Sequence, residues 1–251
     1  MTVDYGSLPL AFPCTCVGLC DADCECRAGG HFCDQVCQCP TTCVNRWQGC
    51  DCTCNSRGSG DEDEDQEECC RLKRECACVR AGRECGRMCK CARSKWGVEA
   101  GCVNRVIGAK LVDPQKYTYV DLSHVPNGGW GLFALCPLSR SFPLGEYTGE
   151  VITDAEADRR GLVYDEMKLN YFFDLANDAV VDAFRLGNAL RFINHGSGKA
   201  ANVEPKVVMV NGSQRILLRT KRAVGAGQEL VMDYGPKYQL WKGGSLELDN
   251  Q

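Results

Sequence analysis

Two stretches of the chain carry one cysteine pattern. Residues 24–39, CECRAGGHFCDQVCQC, place five cysteines at spacings C-x-C-x6-C-x3-C-x-C, and residues 76–91, CACVRAGRECGRMCKC, place five more at the same spacings. Segments so short and polar cannot fold by apolar burial, so whatever binds the thiols must supply their core. Of the 21 cysteines, only Cys136 lies beyond residue 102. The 251-residue chain, 44% hydrophobic, therefore divides into a thiol-held half and a half rich enough in apolar residues to bury a core.

Disulfides would require an oxidising compartment, ordinarily announced by an apolar leader, and MTVDYGSLPL has neither the basic start nor the apolar run. No stretch offers the roughly 18 apolar residues of a membrane span, so no membrane partner is expected. An odd thiol count and repeated C-x-C pairs suit metal thiolates, and zinc is the expected metal. The first repeat, 14–43, supplies Cys14, Cys16, Cys20, Cys24, Cys26, Cys33, Cys37, Cys39 and Cys43. Three tetrahedral zinc ions need about twelve metal–sulfur bonds, which nine thiolates provide if six bind one ion and three bridge two. The second repeat, 50–102, supplies Cys50, Cys52, Cys76, Cys78, Cys85, Cys89, Cys91 and Cys102, with Cys54, Cys69 or Cys70 as the ninth. The expected ligand set takes Cys54. Each repeat closes on CVNR, at 43–46 and 102–105, as duplication of one module would leave it. Two trinuclear clusters, about six Zn2+, follow as structural sites with no open position. An acidic insertion near 55–68, including DEDEDQEE, reads as disordered.

The formal charge of −4 grows more negative once nine thiolates per three Zn2+ are counted, which excludes a broadly basic nucleic-acid surface. Local basic clusters remain, RLKR at 71–74 and Arg80, Arg83, Arg87, Lys90, Arg93 and Lys95. They fit DNA or RNA phosphates, or a solvated face balancing the thiolates.

The second half changes texture. YTYVDLSHV, GWGLFAL, FPLGEYTGEVIT, YFFDLA and AVVDAF are short β-branched and aromatic runs punctuated by Gly, Pro and Asn, as in a sheet-rich domain. VVMVNGSQRILLRT predicts a hairpin turning at Asn211-Gly212. Residues 153–168 predict a helix, with Thr153 and Glu156 spaced as a capping box. RFINHGSGKAAN sets Asn194 and His195 among glycines, and ELVMDYG ends a strand on Asp-Tyr-Gly. Taken alone, His195 reads as a satisfied core histidine, Tyr234 as a loop cap, Trp130 as a core aromatic and Tyr147 as a strand packing residue.

Together GWG at 129–131, GEYTGE at 145–150, RFINH at 191–195 and DYG at 233–235 resemble the SET domain of protein lysine methyltransferases. With the duplicated cysteine module, and with EADRRGLVYD, VVDAFRLGN and VMVNG, the chain resembles the Enhancer of zeste family, the catalytic subunit of Polycomb repressive complex 2. The resemblance implies a mainly β fold with short helices, a β-clip-like SET domain with a pseudoknot, after an irregular zinc-cluster CXC (pre-SET) module. It implies a CXC module over 1–108, a SET domain over 109–238 and a tail over 239–251 without post-SET cysteines. It implies methyl transfer from S-adenosylmethionine to lysine 27 of histone H3, in the nucleus, with gene silencing as the outcome. Tyr234, His195, Tyr147 and Phe173 match catalytic positions; Gly129, Trp130, Gly131, Asn170, Tyr171, Phe192, Asn194, His195 and Tyr234 match cofactor-binding ones.

Expected partners are the histone H3 tail and nucleosome, subunits resembling Extra sex combs and Suppressor of zeste, and DNA or RNA through the CXC module. The first thiol follows Met1 by thirteen residues, so the chain is expected to be a C-terminal fragment, inactive or nearly so without partners. NHGSGKAAN is longer than the family's usual spacing, and Met232 stands where relatives often carry Phe or Tyr that tunes methyl number. Two alternatives are a non-enzymatic nucleic-acid module built on the zinc cages and a SET enzyme for another lysine.

Overall fold

The computed structural model describes residues 13–34, 36–52, 70, 76–93, 102, 104–110, 112–167, 169, 171–176 and 179–235. Its strands are β1 (Thr118–Leu122), β2 (Trp130–Ala134), β3 (Pro143–Glu146), β4 (Glu150–Ile152), β5 (Phe172–Ala176), β6 (Ala179–Asp182), β7 (Asn194–His195), β8 (Val203–Val210), β9 (Ser213–Thr220) and β10 (Glu229–Met232). Its helices are α1 (Glu25–Ala28), α2 (Ala77–Arg80), α3 (Lys90–Arg93), α4 (Asp154–Glu166) and α5 (Ala183–Leu186). Mainly β with short helices is the class the punctuated apolar runs predict. No described helix is long and apolar enough to cross a membrane.

Contacts divide the chain into two units, Met1–Asp113 with Gly145–Asn188 and Lys206–Leu217, and Pro114–Leu144 with Ala189–Pro205 and Leu218–Gln251. The first unit holds the cysteine repeats. Their cores are the thiols themselves: Cys14, Cys20, Cys24, Cys26, Cys33, Cys37, Cys39 and Cys43 in one cluster, Cys50, Cys70, Cys76, Cys78, Cys85, Cys89, Cys91 and Cys102 in the other. The repeated C-x-C-x6-C segment folds alike twice, because α1 and α2 each follow an extended N-cap cysteine, Cys24 or Cys76, whose buried thiol makes no cap hydrogen bond. Where the repeats differ in sequence, they join. Arg83, at the position of His31, pairs with Asp34 and lies 4.8 Å over the Trp47 ring. Arg83, its side chain 10% exposed, is therefore a structural cation rather than the phosphate-facing one that sequence allowed.

The first unit also holds the antiparallel sheet β4–β6–β5. Helix α4 runs beside it, with Thr153 Oγ1 accepting from the Glu156 amide at 3.3 Å. Only half of the expected capping box forms among these hydrogen bonds. The Glu156 carboxylate turns to Arg159 and Arg160, each at 2.7 Å, because charge-assisted pairs outcompete a neutral amide. The hairpin tip of β8 and β9 turns at Asn211 and Gly212, φ 50° and 90°, as Asn-Gly predicts. Gly212 is needed for a second reason: a Cβ there would meet Val36 at 2.8 Å and Asp34 at 3.0 Å.

In the second unit β1 pairs with β2, β2 with β10, and β10 with β8. Leu132, Leu144, Leu190, Ile193, Leu218, Val224 and Leu230 form its core, each 3% exposed or less. Strand β7 lies parallel to β10, with Asn194 opposite Val231 and His195 opposite Met232.

Candidate active site and metal centres

Within the first repeat, quartets Cys14-Cys20-Cys24-Cys33, Cys14-Cys26-Cys33-Cys37 and Cys20-Cys33-Cys39-Cys43 each gather their sulfurs within 4.8 Å. In the second, Cys50-Cys85-Cys89-Cys91 and Cys50-Cys76-Cys78-Cys85 do the same. Neighbouring sulfurs such as Cys14 and Cys20, at 3.8 Å, and Cys50 and Cys91, at 3.7 Å, stand one tetrahedron edge apart, about 3.8 Å for a metal–sulfur bond of about 2.3 Å. The quartets overlap, which is what bridging thiolates require. Cys16 and Cys52 pack against the clusters half-buried, while Cys54 and Cys69 lie outside the described residues. Cys70 takes a fully buried place beside Cys102, Cys85 and Cys91. No disulfide joins the described cysteines.

The repeated CVNR tetrapeptide has one job in both repeats. Asn45 donates to the His31 carbonyl at 3.1 Å and the Cys33 sulfur at 3.3 Å; Asn104 donates to the Arg83 carbonyl at 2.8 Å and the Cys85 sulfur at 3.4 Å. Donors aimed at sulfur favour thiolate, the form that binds metal. Among the thiols of the first cluster Cys26 resists ionisation: burial, with Cys37 beside it, pushes it up to about 12. Metal binding therefore displaces protons.

In the second unit, Gly128, Gly129, Trp130 and Gly131 lead into and begin β2. Gly129 has φ 62°, while a Cβ at Gly128 would meet Ser123 Oγ at 2.6 Å and one at Gly131 would meet Glu229 Oε1 at 2.6 Å. The glycines clear space for a polar cluster. Asn194 Nδ2 donates to the Trp130 carbonyl at 2.9 Å and to Ser123 Oγ at 3.0 Å. Trp130 is 57% exposed and so is no core aromatic. His195 Nδ1 accepts from the Tyr234 amide at 3.2 Å, and the two rings meet edge-on at 5.4 Å. The Tyr234 hydroxyl donates to the Ile193 carbonyl at 2.5 Å. Phe192 closes the 3-10 turn Ala189–Phe192 just before this segment, half-buried under the Arg191 guanidinium at 4.9 Å.

In the first unit, buried Tyr147 and half-buried Phe173 face one another with ring centroids 5.2 Å apart. The Tyr147 hydroxyl donates to the Tyr171 carbonyl at 2.9 Å. Asn170 lies outside the described residues. The expected site residues thus form two groups, each well made within its own unit.

A family model for the SET domain matches residues 129–235. The chain carries a SET domain. Over 88% of its length it is 34% identical to a maize protein, histone-lysine N-methyltransferase EZ3, and 35% identical to Arabidopsis thaliana histone-lysine N-methyltransferase CLF. A third relative, Arabidopsis thaliana MEDEA, is 35% identical over 92% of the chain. The chain spans about a quarter of the first two relatives and 32% of the third. Among solved structures it is similar to apo ctPRC2 in an autoinhibited state, with TM-score 0.73 and 29% identity over 94% of this chain and 32% of that one. It is also similar to an active polycomb repressive complex 2 in the basal state, with TM-score 0.71 and 29% identity over 93% of this chain and 31% of that one. A third match, ctPRC2 in an autoinhibited conformation bound to S-adenosylmethionine, gives TM-score 0.70 and 28% identity over 97% of this chain and 32% of that one.

The SET domain also uses residues that sequence reading passes over. Asn202, 1% exposed, donates to the Glu229 carbonyl at 2.8 Å and accepts from the Val231 amide at 2.9 Å, holding β10 as a strand neighbour would. Its signal is present in NHGSGKAAN, since a buried asparagine is costly without partners. Glu229 gives none: an acid at the start of a strand reads as surface.

Proposed function

We propose that the chain is the catalytic portion of a histone-lysine methyltransferase of Enhancer of zeste type, acting on lysine 27 of histone H3 in the nucleus and so silencing genes. The observation that carries this reading is β7 lying parallel to β10, with His195 holding the Tyr234 amide beside the Asn194 and Gly-Trp-Gly cradle. The cradle suits S-adenosylmethionine: an exposed indole, glycines permitting close approach, and a carboxamide whose oxygen receives no hydrogen bond from a described residue. Gly129, Trp130, Gly131, Phe192, Asn194, His195 and Tyr234 would hold it, with Tyr171 and Asn170 assigned by the family motif. When bound, it supplies an electrophilic methyl on a sulfonium.

The remaining work falls to this chain. A lysine amine with pKa of about 10.4 in water must lose its proton, and apolar aromatic surroundings such as Tyr147 and Phe173 disfavour the charged form. The Tyr234 and Tyr147 hydroxyl protons point at backbone carbonyls, of Ile193 and Tyr171. In each unit the hydroxyl oxygen is thereby left with lone pairs free to accept, which is what orienting an amine for in-line attack requires. A catalytic subunit of this kind works with partners resembling Extra sex combs and Suppressor of zeste, and with nucleosomes.

The cysteine clusters are assigned as two Zn3Cys9 cages, about six Zn2+ in all. In the second cage Cys70 is the ninth thiolate, in place of the Cys54 first expected, because it is buried among the other eight. Native mass spectrometry reading about three zinc ions per cage supports this assignment, and a Cys70→Ser variant that keeps all of its zinc refutes it.

The test of function is transfer of labelled methyl to nucleosomal histone H3 by the full-length subunit with its partners, against the same assembly carrying Tyr234→Phe. Label on lysine 27 that the variant loses supports the reading. Label on another lysine reassigns the substrate, and none in either arm overturns the enzyme.

A further inference from the structure

We propose that Glu229 is a positioning residue for the cofactor side of the SET domain: its carboxylate orients the Ser123 hydroxyl and, through it, the Asn194 carboxamide. This rests on the cofactor reading above. The Glu229 side chain is 8% exposed, accepts from Ser123 Oγ at 2.6 Å and from the His124 amide at 2.8 Å, and stands 3.4 Å from Asn194 Nδ2. A carboxylate only accepts, so Ser123 must direct its one proton there. The Ser123 oxygen is then an acceptor for its other two neighbours, the Val125 amide and Asn194 Nδ2, each at 3.0 Å. With the Trp130 carbonyl at 2.9 Å taking the second proton of Nδ2, the nitrogen faces the cluster and Oδ1 faces away. Asn194 thus offers an outward acceptor, suited to the ammonium group of an amino-acid ligand.

Glutamine at 229 would keep the shape and break the logic. With its oxygen on Ser123, its NH2 would confront the donating His124 amide. Turned the other way, its NH2 would make Ser123 an acceptor there and free the hydroxyl proton to point at Asn194, which favours the flipped carboxamide. The glycines argue that the cluster is built for this, since a Cβ at Gly131 would strike Glu229 and one at Gly128 would strike Ser123.

The experiment compares wild-type chain with Glu229→Gln and Ser123→Ala by calorimetric binding of two ligands. S-adenosylhomocysteine carries the amino-acid group, and 5′-methylthioadenosine lacks it. Expected for Glu229→Gln is at least about tenfold weaker binding of the first and less than about twofold change for the second, with the thermal midpoint nearly unmoved; Ser123→Ala should share that selectivity. Equal weakening of both ligands, or of neither, overturns the proposal. If the wild type binds neither ligand, the cofactor reading itself fails. The Asn194 side-chain amide resonances of ligand-free protein then decide for Glu229 alone: displacement in Glu229→Gln sustains the proposal, and unchanged resonances overturn it.

Discussion

Gly128 and Gly131 lack side chains where Ser123 and Glu229 need room, and Asn194, His195 and Tyr234 close the same neighbourhood by hydrogen bonds to backbone. At this scale, Tyr234→Phe keeps the ring against His195 and removes only the hydroxyl that reaches Ile193. Methyl transfer should fall by about a hundredfold, with thermal stability lowered by no more than about 1 kcal/mol. Asn202→Ala should behave in the opposite way. It leaves the Val231 amide and Glu229 carbonyl buried without their partner, each costing about 1–3 kcal/mol, so a urea melt should show the loss. The motif letters by themselves make Asn194, His195 and Tyr234 legible. Glu229 is illegible in sequence because its importance lies in neighbours more than thirty residues away along the chain.

Among the elements, α4 is held by charge as well as by the apolar contacts of Ala157 and Tyr164. Arg160 reaches Glu156 on its own helix, Glu150 on β4 and Asp182 on β6, at 2.7 to 2.8 Å, and Tyr164 adds a bond to Asp182 at 3.1 Å. The two arginines beside it hold Glu156 down to about 2 from its usual 4.5, and Arg160 lowers Glu150 as well. Since the folded pKa lies below the unfolded one, this contribution is complete above about pH 4.5 and is lost as pH falls toward 2. Hydrogen-exchange protection along α4, taken relative to the intrinsic exchange rate at each pH, should fall across that window, and salt should weaken the part that comes from the exposed Arg159–Glu156 pair. Protection factors that stay flat from about pH 5 to about 2.5 would show that the charges do not hold the helix. The Thr153 cap is readable from spacing; the destination of Glu156 is not, because Arg160 becomes its partner through a choice among rotamers.

For the whole molecule, the thiol clusters occupy the place of an apolar core, so the proposed metal would be coupled to the fold. A strong chelator at neutral pH should strip the proposed zinc and expose amides across 13–52 and 76–93 to exchange, while β2 and β10, packed on Leu132 and Leu230, remain protected. Simultaneous loss of both regions would mean that the cages carry the stability of the SET sheet as well. Asn45→Ala and Asn104→Ala should each lower zinc retention of their own cage, since each removes the donor to one sulfur, Cys33 or Cys85.

The sequence alone determined the gathering of the repeated thiols into clusters, the strand and hairpin order and the SET motifs, because cysteine spacing, Asn-Gly turns and short motifs are local and each demands one backbone geometry. Only the tertiary structure decided that Cys70 enters the second cluster, that Arg83 serves to join the repeats, and that Glu229 sits under Asn194. These outcomes depend on which side chains meet once distant segments pack, and hydrogen-bond direction among buried groups is set by those encounters rather than by position in the chain.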